Sequence, residues 1–188
     1  LNGVIPYTVM RGNHDGPSGS TEFFNEYYAK KDGYYYNYVK ENGGFYNEDS
    51  VKNTYHTFTV GNTDYIILVL DFGANDQVLA WADSVLSEYS DHRAIITTHG
   101  YLNWDGTTLG ANDNHAPTIY EWGKTLNNGD DMWNELISKH EKRKINDIEQ
   151  DTCNINCFRN RNTDVIHKNS TENLSDTKEA AAVKSDRY

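Results

Sequence analysis

The chain has 188 residues, of which 17 are Lys or Arg and 28 are Asp or Glu, so its formal net charge is −11. This acidity argues against a nucleic-acid duplex as a partner, because the phosphate backbone would be repelled. Mean hydropathy is −0.81, and no apolar stretch approaches the roughly 20 residues that a membrane-spanning helix needs. We therefore expect a globular protein with a buried core and no membrane span.

The spacing of apolar residues predicts an α/β fold. In chain order, the predicted elements are a buried strand at 4–10, a helix at 21–31, a half-buried alternating strand at 55–60, a buried strand at 65–70, a helix at 76–89 with Asp76 as its cap, a buried strand at 93–98 and a helix at 131–140. Strand, helix and strand in succession between 65 and 98 are typical of a βαβ unit with parallel strands.

The tyrosine-rich segment YYYNYV at 34–39 is predicted to lie at a sheet edge. The alternative is an aromatic surface that faces carbohydrate, which keeps a glycan-binding role open.

The composition changes near residue 141. Residues 1–140 carry 8 basic and 19 acidic residues, whereas residues 141–188 carry 9 of each. Of the aromatic residues, 22 lie before this point and 2 after it. We therefore predict a domain at 1–141 and a polar segment at 142–188 that is mostly disordered or marginally helical. An ordinary polar C-terminal extension is the alternative interpretation.

Metal- or proton-handling side chains follow two of the predicted buried strands. Asn13, His14 and Asp15 follow the first, and His99 follows the strand at 93–98. Ligands bind beyond the carboxyl ends of strands in open α/β sheets, so Asn13 and His99 would meet if these strands are parallel neighbours. An amide oxygen and an imidazole are suitable ligands for Mn, Fe or Zn. His14 could then donate a proton or stabilise an anion, with Asp15 fixing its tautomer.

The motifs RGNHD at 11–15 and TTHG at 97–100 resemble those of the calcineurin-like metallophosphoesterase family. The intervening text LVLDFGANDQVLAWADSVLSEYSDHRAIITTHGYL is similar to the secreted or cell-surface bacterial branch of that family. The resemblance covers residues 1–141. Without this family resemblance, the sequence GNHDG would be typical of a hydrogen-bonded Asx turn.

The resemblance implies a two-sheet β-sandwich flanked by helices, of which this chain is a fragment. It implies hydrolysis of a small phosphoester with two divalent or transition-metal ions, Mn, Fe or Zn. By position, it implies that Asn13 and His99 ligate one metal, that His14 stabilises the phosphoryl transition state and assists the leaving group, and that Asp15 supports His14. It also implies an extracellular or cell-surface location, although no signal peptide is visible in the sequence.

Other motifs of the family are absent from the sequence. The opening Asp-x-His and the Gly-Asp that bridges the metals are expected upstream of Leu1. The closing Gly-His-x-His is expected after the helix at 131–140, where KRKINDIEQ stands at 142–150. We hypothesise a frameshift or a misjoined coding end near codons 141–143; the rival hypothesis is a native tail on a degenerate relative. This chain is expected to hold at most one partial metal site and not to build a working site by itself.

Segment 100–129 is too long for a simple connection and follows His99 directly. We expect it to shape substrate access, with Trp104 or Trp122 as a wall. The triplet at 113–115 spells Asp-x-His but is interpreted as turn chemistry. Two further candidate metal pairs are interpreted as solvated side chains: Asp164 with His167, and Cys153 with Cys157.

The sequence thus favours metal-dependent phosphoester hydrolysis by descent. A second hypothesis is a non-catalytic surface or glycan-binding relative of the same family. A third is a gene fragment without function, which would unfold with poor cooperativity.

Overall fold

The computed structural model of the protein describes residues 4–15, 22–120, 125–140 and 145–150. Its architecture is mixed α/β. The helices are α1 (Glu22–Tyr28), α2 (Tyr34–Asn42), α3 (Asp76–Glu88) and α4 (Gly129–Glu135), and the strands are β1 (Gly43–Asn47), β2 (Ser50–Val60), β3 (Thr63–Val69), β4 (Arg93–Thr98) and β5 (Ile145–Gln150). Short 3₁₀ helices lie at Pro117–Ile119 and Ile137–His140.

The strands form one sheet in the order β1-β2-β3-β4-β5. The β1–β2 and β2–β3 pairs are antiparallel, whereas β3–β4 and β4–β5 are parallel. Strands β3 and β4 with the intervening helix α3 confirm the predicted βαβ unit, and α1 and α4 confirm the helices predicted near 21–31 and 131–140.

Helix α3 forms where the spacing of apolar residues predicts it. Its buried residues recur at helical spacing and face the sheet: Val78, Leu79, Ala82, Val85 and Leu86. The side chain of Asn75 accepts a hydrogen bond from the Val78 amide at 3.0 Å. Asn75 is therefore the N-cap, and the prediction of Asp76 in that role was wrong by one position, because Asp76 already lies in the first turn.

Two apolar clusters fill the space beside the sheet. The main core joins β3, β4, α3 and α4 through residues that include Ile66, Leu68, Leu79, Ile96, Met132 and Leu136. A second cluster of aromatic character joins α1, α2 and β2 through Phe24, Tyr35, Tyr36, Val39 and Val51.

The apolar run at 4–10 was predicted to be a buried strand, and this prediction was wrong. The structure gives it no strand pairing, and Val4 and Ile5 are exposed. Side-chain contacts hold its second half instead, because the Tyr35 hydroxyl accepts from the Val9 amide at 3.3 Å and lies 3.1 Å from the Thr8 hydroxyl. An apolar run alone does not specify a strand, since a strand also needs a neighbour to pair with.

Segment 34–39 was predicted to lie at a sheet edge, but it forms most of helix α2. Tyr35, Tyr36 and Val39 are buried on one side of the helix. Tyr34 and Tyr38, one turn apart, stack with ring centroids 6.3 Å apart. Residues at i and i+4 are neighbours on a helix surface, so the tyrosine spacing matches helical periodicity despite the β propensity of the residues.

A strand after Glu141 was not predicted, yet Ile145–Gln150 forms β5. Pairing with β4 at Ile96↔Ile148 and neighbouring positions explains it, since the edge of β4 offers unpaired backbone groups that a local pattern does not reveal. The rest of the predicted polar segment, 151–188, lies outside the described residues. Within the described ranges, no helix has the length and apolar character required to cross a membrane.

Candidate metal edge

The parallel pairing of β3 and β4 brings the residues that follow them to one edge of the sheet. Leu70 continues the pairing, donating its amide to the Thr97 carbonyl at 2.9 Å. The Thr98 hydroxyl then donates to the Asp71 carbonyl at 3.3 Å. Asp71 and His99 therefore emerge side by side, as expected for the carboxyl ends of parallel strands. We call this region the carboxyl edge; it comprises residues 11–15, 70–72 and 98–100, with Tyr120.

A tight turn carries the GNHD motif to the carboxyl edge. The Asp15 carboxylate accepts from the Gly12 amide at 2.6 Å and closes the turn, leaving Asn13 and His14 at its corner. Gly12 lies against the His99 ring, since a Cβ placed on it would come within 3.2 Å of the ring carbon Cε1 and of Nε2. Absence of a side chain at this position therefore lets the turn approach His99 closely.

The structure brings the two predicted metal ligands into contact. Asn13 Oδ1 lies 3.0 Å from His99 Nε2, although the residues are 86 positions apart in sequence. The other end of the same amide, Asn13 Nδ2, donates to the Tyr120 hydroxyl oxygen at 2.8 Å. Both amide atoms of Asn13 are therefore engaged, one with His99 and one with Tyr120.

Aromatic rings form the wall behind this pair. The buried ring of Phe72 lies with its centroid 5.7 Å from that of His99 and 5.6 Å from that of Tyr120, which it meets edge to face. Such packing restricts the rotation of the imidazole and the phenol, so that the polar atoms are presented in a fixed arrangement.

A buried ion pair ties the GNHD turn to β3. Arg11 Nε lies 2.5 Å from Asp71 Oδ1, and both residues are buried. The Lys52 ammonium lies 3.4 Å from Oδ2 of the same carboxylate, and Oδ1 accepts a hydrogen bond from the Phe72 amide. Asn53 completes the arrangement by accepting the Asp71 amide at 2.8 Å. Asp71 thus anchors the residue that precedes Gly12 and fixes where the turn begins.

The geometry of Asn13 and His99 fits a shared metal ion. Two donors that each lie about 2.0–2.2 Å from one ion, at roughly 90–110° to each other, are about 3 Å apart. The observed 3.0 Å between Oδ1 and Nε2 is the length of a hydrogen bond between the two side chains, and it is also compatible with this spacing. Within the described ranges there is no group of three or more His, Cys, Asp or Glu side chains that could hold a metal ion.

His14 and Asp15 occupy the exposed side of the turn. The His14 imidazole adjoins Asn13 and faces outward, which suits a group that exchanges protons with a ligand. The carboxylate of Asp15 holds the Gly12 amide, so its structural contribution is to the turn itself. Its role toward the His14 tautomer stays a prediction, as does the catalytic role of His14.

The loop after His99 is ordered by its own hydrogen bonds. Asn103 and Thr107 close a hairpin-like turn through a backbone bond of 2.7 Å, and Gly106 adopts a φ of 84° at its tip. Trp104 projects from this tip with 89% of its surface exposed. Trp122, the other predicted wall residue, lies outside the described residues. A substrate contact by either tryptophan stays a prediction.

The other candidate metal motifs do not form a site in the described ranges. Asp113 accepts hydrogen bonds from the Gly110 amide and the Asn103 side chain, and His115 is exposed, so the triplet at 113–115 is a turn. Four residues of the remaining candidates lie outside the described residues: Cys153, Cys157, Asp164 and His167.

Two other histidines are structural. His140 Nε2 bonds Asp83 at 2.7 Å and joins the end of the α4 region to α3. His56, in β2, is fully buried, and neither ring nitrogen has a hydrogen-bond partner among the described residues. Burial lowers the pKa of His56 to about 4, because the protonated ring would lose its hydration without gaining a compensating bond.

Sequence reasoning missed three residues of the carboxyl edge. Tyr120 lies in the long segment 100–129, Asp71 directly follows the predicted strand at 65–70, and Arg11 opens the RGNHD motif, but the sequence patterns assign none of them to the site. Of the three, only Asp71 could have been found from the sequence, because it follows a predicted buried strand as His99 does. Nothing local marks Tyr120, whose contact with Asn13 spans 107 positions.

Comparison with known proteins gives one informative relative. The chain is 36% identical over 104 residues to the uncharacterized protein YvnB of Bacillus subtilis strain 168. The alignment covers 52% of this chain and 7% of the relative, so the chain corresponds to a small part of that protein. Neither a known protein family nor a solved structure matches the chain.

Proposed function

We propose that this chain is part of a metal-dependent phosphoesterase of the calcineurin-like type. The observation that carries the proposal is the 3.0 Å approach of Asn13 Oδ1 to His99 Nε2 at the carboxyl ends of parallel strands. An amide oxygen and a neutral imidazole at this spacing are appropriate ligands for Mn, Fe or Zn. A metal ion bound there would polarise a phosphoryl oxygen and neutralise charge that develops on the phosphate.

In this proposal, each residue of the site has a separate role in the reaction. Asn13 and His99 would hold the ion. Water would form the new bond to phosphorus, and the adjacent exposed His14 would donate its ring proton to the oxygen of the departing group as its bond to phosphorus breaks. Asp15 fixes the turn through the Gly12 amide, which sets the position of both side chains. In this proposal the second metal ion of the family, and the second sheet of its sandwich, involve residues outside the described part of this chain.

The proposed substrate is a small phosphoester. A net charge of −11 repels a polyanion, but bound divalent cations reverse the field locally and allow one phosphate group to approach. The proposed location is extracellular or at the cell surface, as the resemblance implies.

Activity should be measured in the longest natural polypeptide that contains these residues, with Mn²⁺ and with p-nitrophenyl phosphate and bis-p-nitrophenyl phosphate as substrates. We expect His14→Ala to raise the barrier in kcat by about 2–4 kcal/mol, because a proton donor at the leaving group is lost. His115→Ala, which removes an exposed histidine of a turn, is the matched control. An unchanged rate in His14→Ala removes His14 from the mechanism.

A non-catalytic, glycan-binding relative is the second candidate. The exposed aromatic side chains around α1 favour it: Phe23 and Tyr27 are 55% and 76% exposed, and Tyr34 of α2 is 40% exposed. This candidate predicts no metal-dependent hydrolysis in the longer polypeptide and binding to soluble oligosaccharides that Tyr27→Ala weakens. Hydrolysis that depends on Asn13 and His99 would exclude it as the sole function.

A further inference from the structure

We infer that Tyr120 is a positioning residue that holds the Asn13 side chain in place at the metal position. The inference rests on the proposed function and goes beyond it, because Tyr120 belongs to neither motif of the resemblance. The observation that supports it is the hydrogen bond of 2.8 Å from Asn13 Nδ2 to the Tyr120 oxygen.

An asparagine amide has a ligand end and a non-ligand end. Its oxygen carries lone pairs that coordinate metals, whereas its NH₂ group only donates hydrogen bonds. Rotation by 180° about the last side-chain bond exchanges the two. In Asn13 the NH₂ group donates to the Tyr120 oxygen, and Oδ1 lies 3.0 Å from His99 Nε2. A metal ion at Oδ1 would leave the NH₂ group free to donate to Tyr120, so the Tyr120 contact supports the Asn13 side chain in a position that can share a metal with His99.

Tyr120 is itself held firmly. It directly follows the 3₁₀ helix Pro117–Ile119 and donates its amide to the Pro117 carbonyl at 3.3 Å. Its ring packs edge to face on the buried ring of Phe72. Pro117 in turn lies against Gly73, where an added Cβ would come within 2.5 Å of the proline side chain. The phenol oxygen is thus positioned by a packed support.

The same support reaches both sides of the site. Phe72 contacts the rings of His99 and Tyr120, and it immediately follows Asp71, which anchors Arg11 before the GNHD turn. Outer groups that orient metal ligands typically change metal affinity by about 10–100-fold when they are removed. Tyr120 meets this description by geometry, since it touches a ligand and not the metal position itself.

The test compares Tyr120→Phe with Tyr46→Phe. Both variants keep the ring and delete one hydroxyl; the Tyr46 hydroxyl bonds Gln77 at 3.4 Å on an exposed surface away from the edge. Mn²⁺ binding is measured by calorimetry with excess Mg²⁺, which suppresses weak binding to surface carboxylates. We expect Tyr120→Phe to weaken Mn²⁺ binding about 10-fold or more and Tyr46→Phe to leave it within about twofold.

A second readout needs no metal. The Asn13 side-chain NH₂ signals in a ¹⁵N correlation spectrum should shift and exchange faster in Tyr120→Phe, because their acceptor is gone. In the longer polypeptide, the activity of Tyr120→Phe should return to at least half of the wild-type kcat at saturating Mn²⁺, whereas that of His14→Ala should not. This rescue separates positioning of a ligand from participation in the chemistry.

The outcomes are distinguishable. Unchanged Mn²⁺ affinity in Tyr120→Phe, with tight binding to the wild type, overturns the inference and leaves the proposed function standing. Absence of Mn²⁺ binding at the Asn13–His99 pair in the wild-type longer polypeptide overturns both. A thermal melt checks whether Tyr120→Phe is folded at the assay temperature. If it is not, Mn²⁺ binding of Tyr120→Phe and Tyr46→Phe is compared at a temperature below both melting midpoints, where equal affinity contradicts the inference.

Discussion

The βαβ core of β3, α3 and β4 and the carboxyl edge built upon it are assembled in different ways. Core residues are close in sequence and are held together by apolar burial along repeating patterns. Carboxyl-edge residues come from positions 60 to 107 apart and are held together by individual polar contacts. We therefore expect substitutions at the carboxyl edge to leave the core packing intact. We also expect the geometry of the edge to change when a single side-chain group is removed.

The largest effect on the free energy of unfolding is expected at the buried ion pair of the carboxyl edge. Arg11→Ala leaves the buried Asp71 carboxylate without its closest cation, and loss of one partner of a buried pair costs about 3–5 kcal/mol of unfolding free energy. Lys52→Ala, which removes the more exposed cation of the same carboxylate, should cost about 1 kcal/mol or less. Urea unfolding of both variants measures the difference. Equal costs would mean that the Arg11–Asp71 pair does not anchor the turn.

A core truncation should lower stability without changing the edge. Leu79 of α3 is fully buried in the main core, so Leu79→Ala should cost about 2–5 kcal/mol of unfolding free energy through lost burial and a cavity. Below its melting temperature this variant should keep the wild-type affinity for Mn²⁺. A parallel loss of affinity would show that the two regions are not separable.

Buried His56 should make stability depend on pH. Its folded pKa of about 4 lies below the ordinary 6.5, so between these values the unfolded state binds the additional proton. The contribution is complete above pH 6.5 and is lost as pH falls toward 4, by about 3 kcal/mol in all. Urea unfolding of the wild type and of His56→Leu between pH 7 and 4 should give a shallower dependence for the variant. Identical slopes would contradict a neutral, unpartnered His56.

The smallest effect on stability is expected at Gly12. A Cβ at this position would lie 3.2–3.3 Å from three atoms of the His99 ring, closer than ordinary van der Waals contact, so Gly12→Ala should displace the ring by a few tenths of an ångström at a cost of about 1 kcal/mol. Mn²⁺ affinity should nevertheless fall by about 3- to 10-fold, because the ligand pair is no longer aligned. Calorimetry and a thermal melt on the same sample measure both quantities. An unaltered affinity would mean that the edge tolerates more displacement than a metal pair allows.

The same contrast explains what the sequence could predict. Residues 63–98 were predicted well, since apolar periodicity and an amphipathic helix are local properties. Asn13 and His99 were expected to meet because each follows an apolar run, and they do, although the run at 4–10 forms no strand. The tyrosines of α2 misled the prediction, because their β propensity concealed helical spacing.

Long-range polar contacts were beyond local reasoning. The Asn13–Tyr120 bond and the Arg11–Asp71 pair depend on how the loops fold back on the sheet, which no local pattern encodes. The strand β5 was missed for a related reason, since it is specified by the edge of β4 and not by alternation within INDIEQ. The frameshift hypothesis for 142–188 stays a prediction; sequencing the coding DNA from about codon 120 onward, in all three frames, tests it.

The most direct test of the central claim is to locate Mn²⁺ on the chain by paramagnetic line broadening in NMR. If Asn13 and His99 share a metal ion, their side-chain signals should broaden first on titration with Mn²⁺ in excess Mg²⁺, before those of half-buried His92 and exposed His115. Asn13→Ala and His99→Ala should each abolish this order. Broadening that is equal at all histidines, or that persists unchanged in both variants, would contradict a metal site at the carboxyl edge.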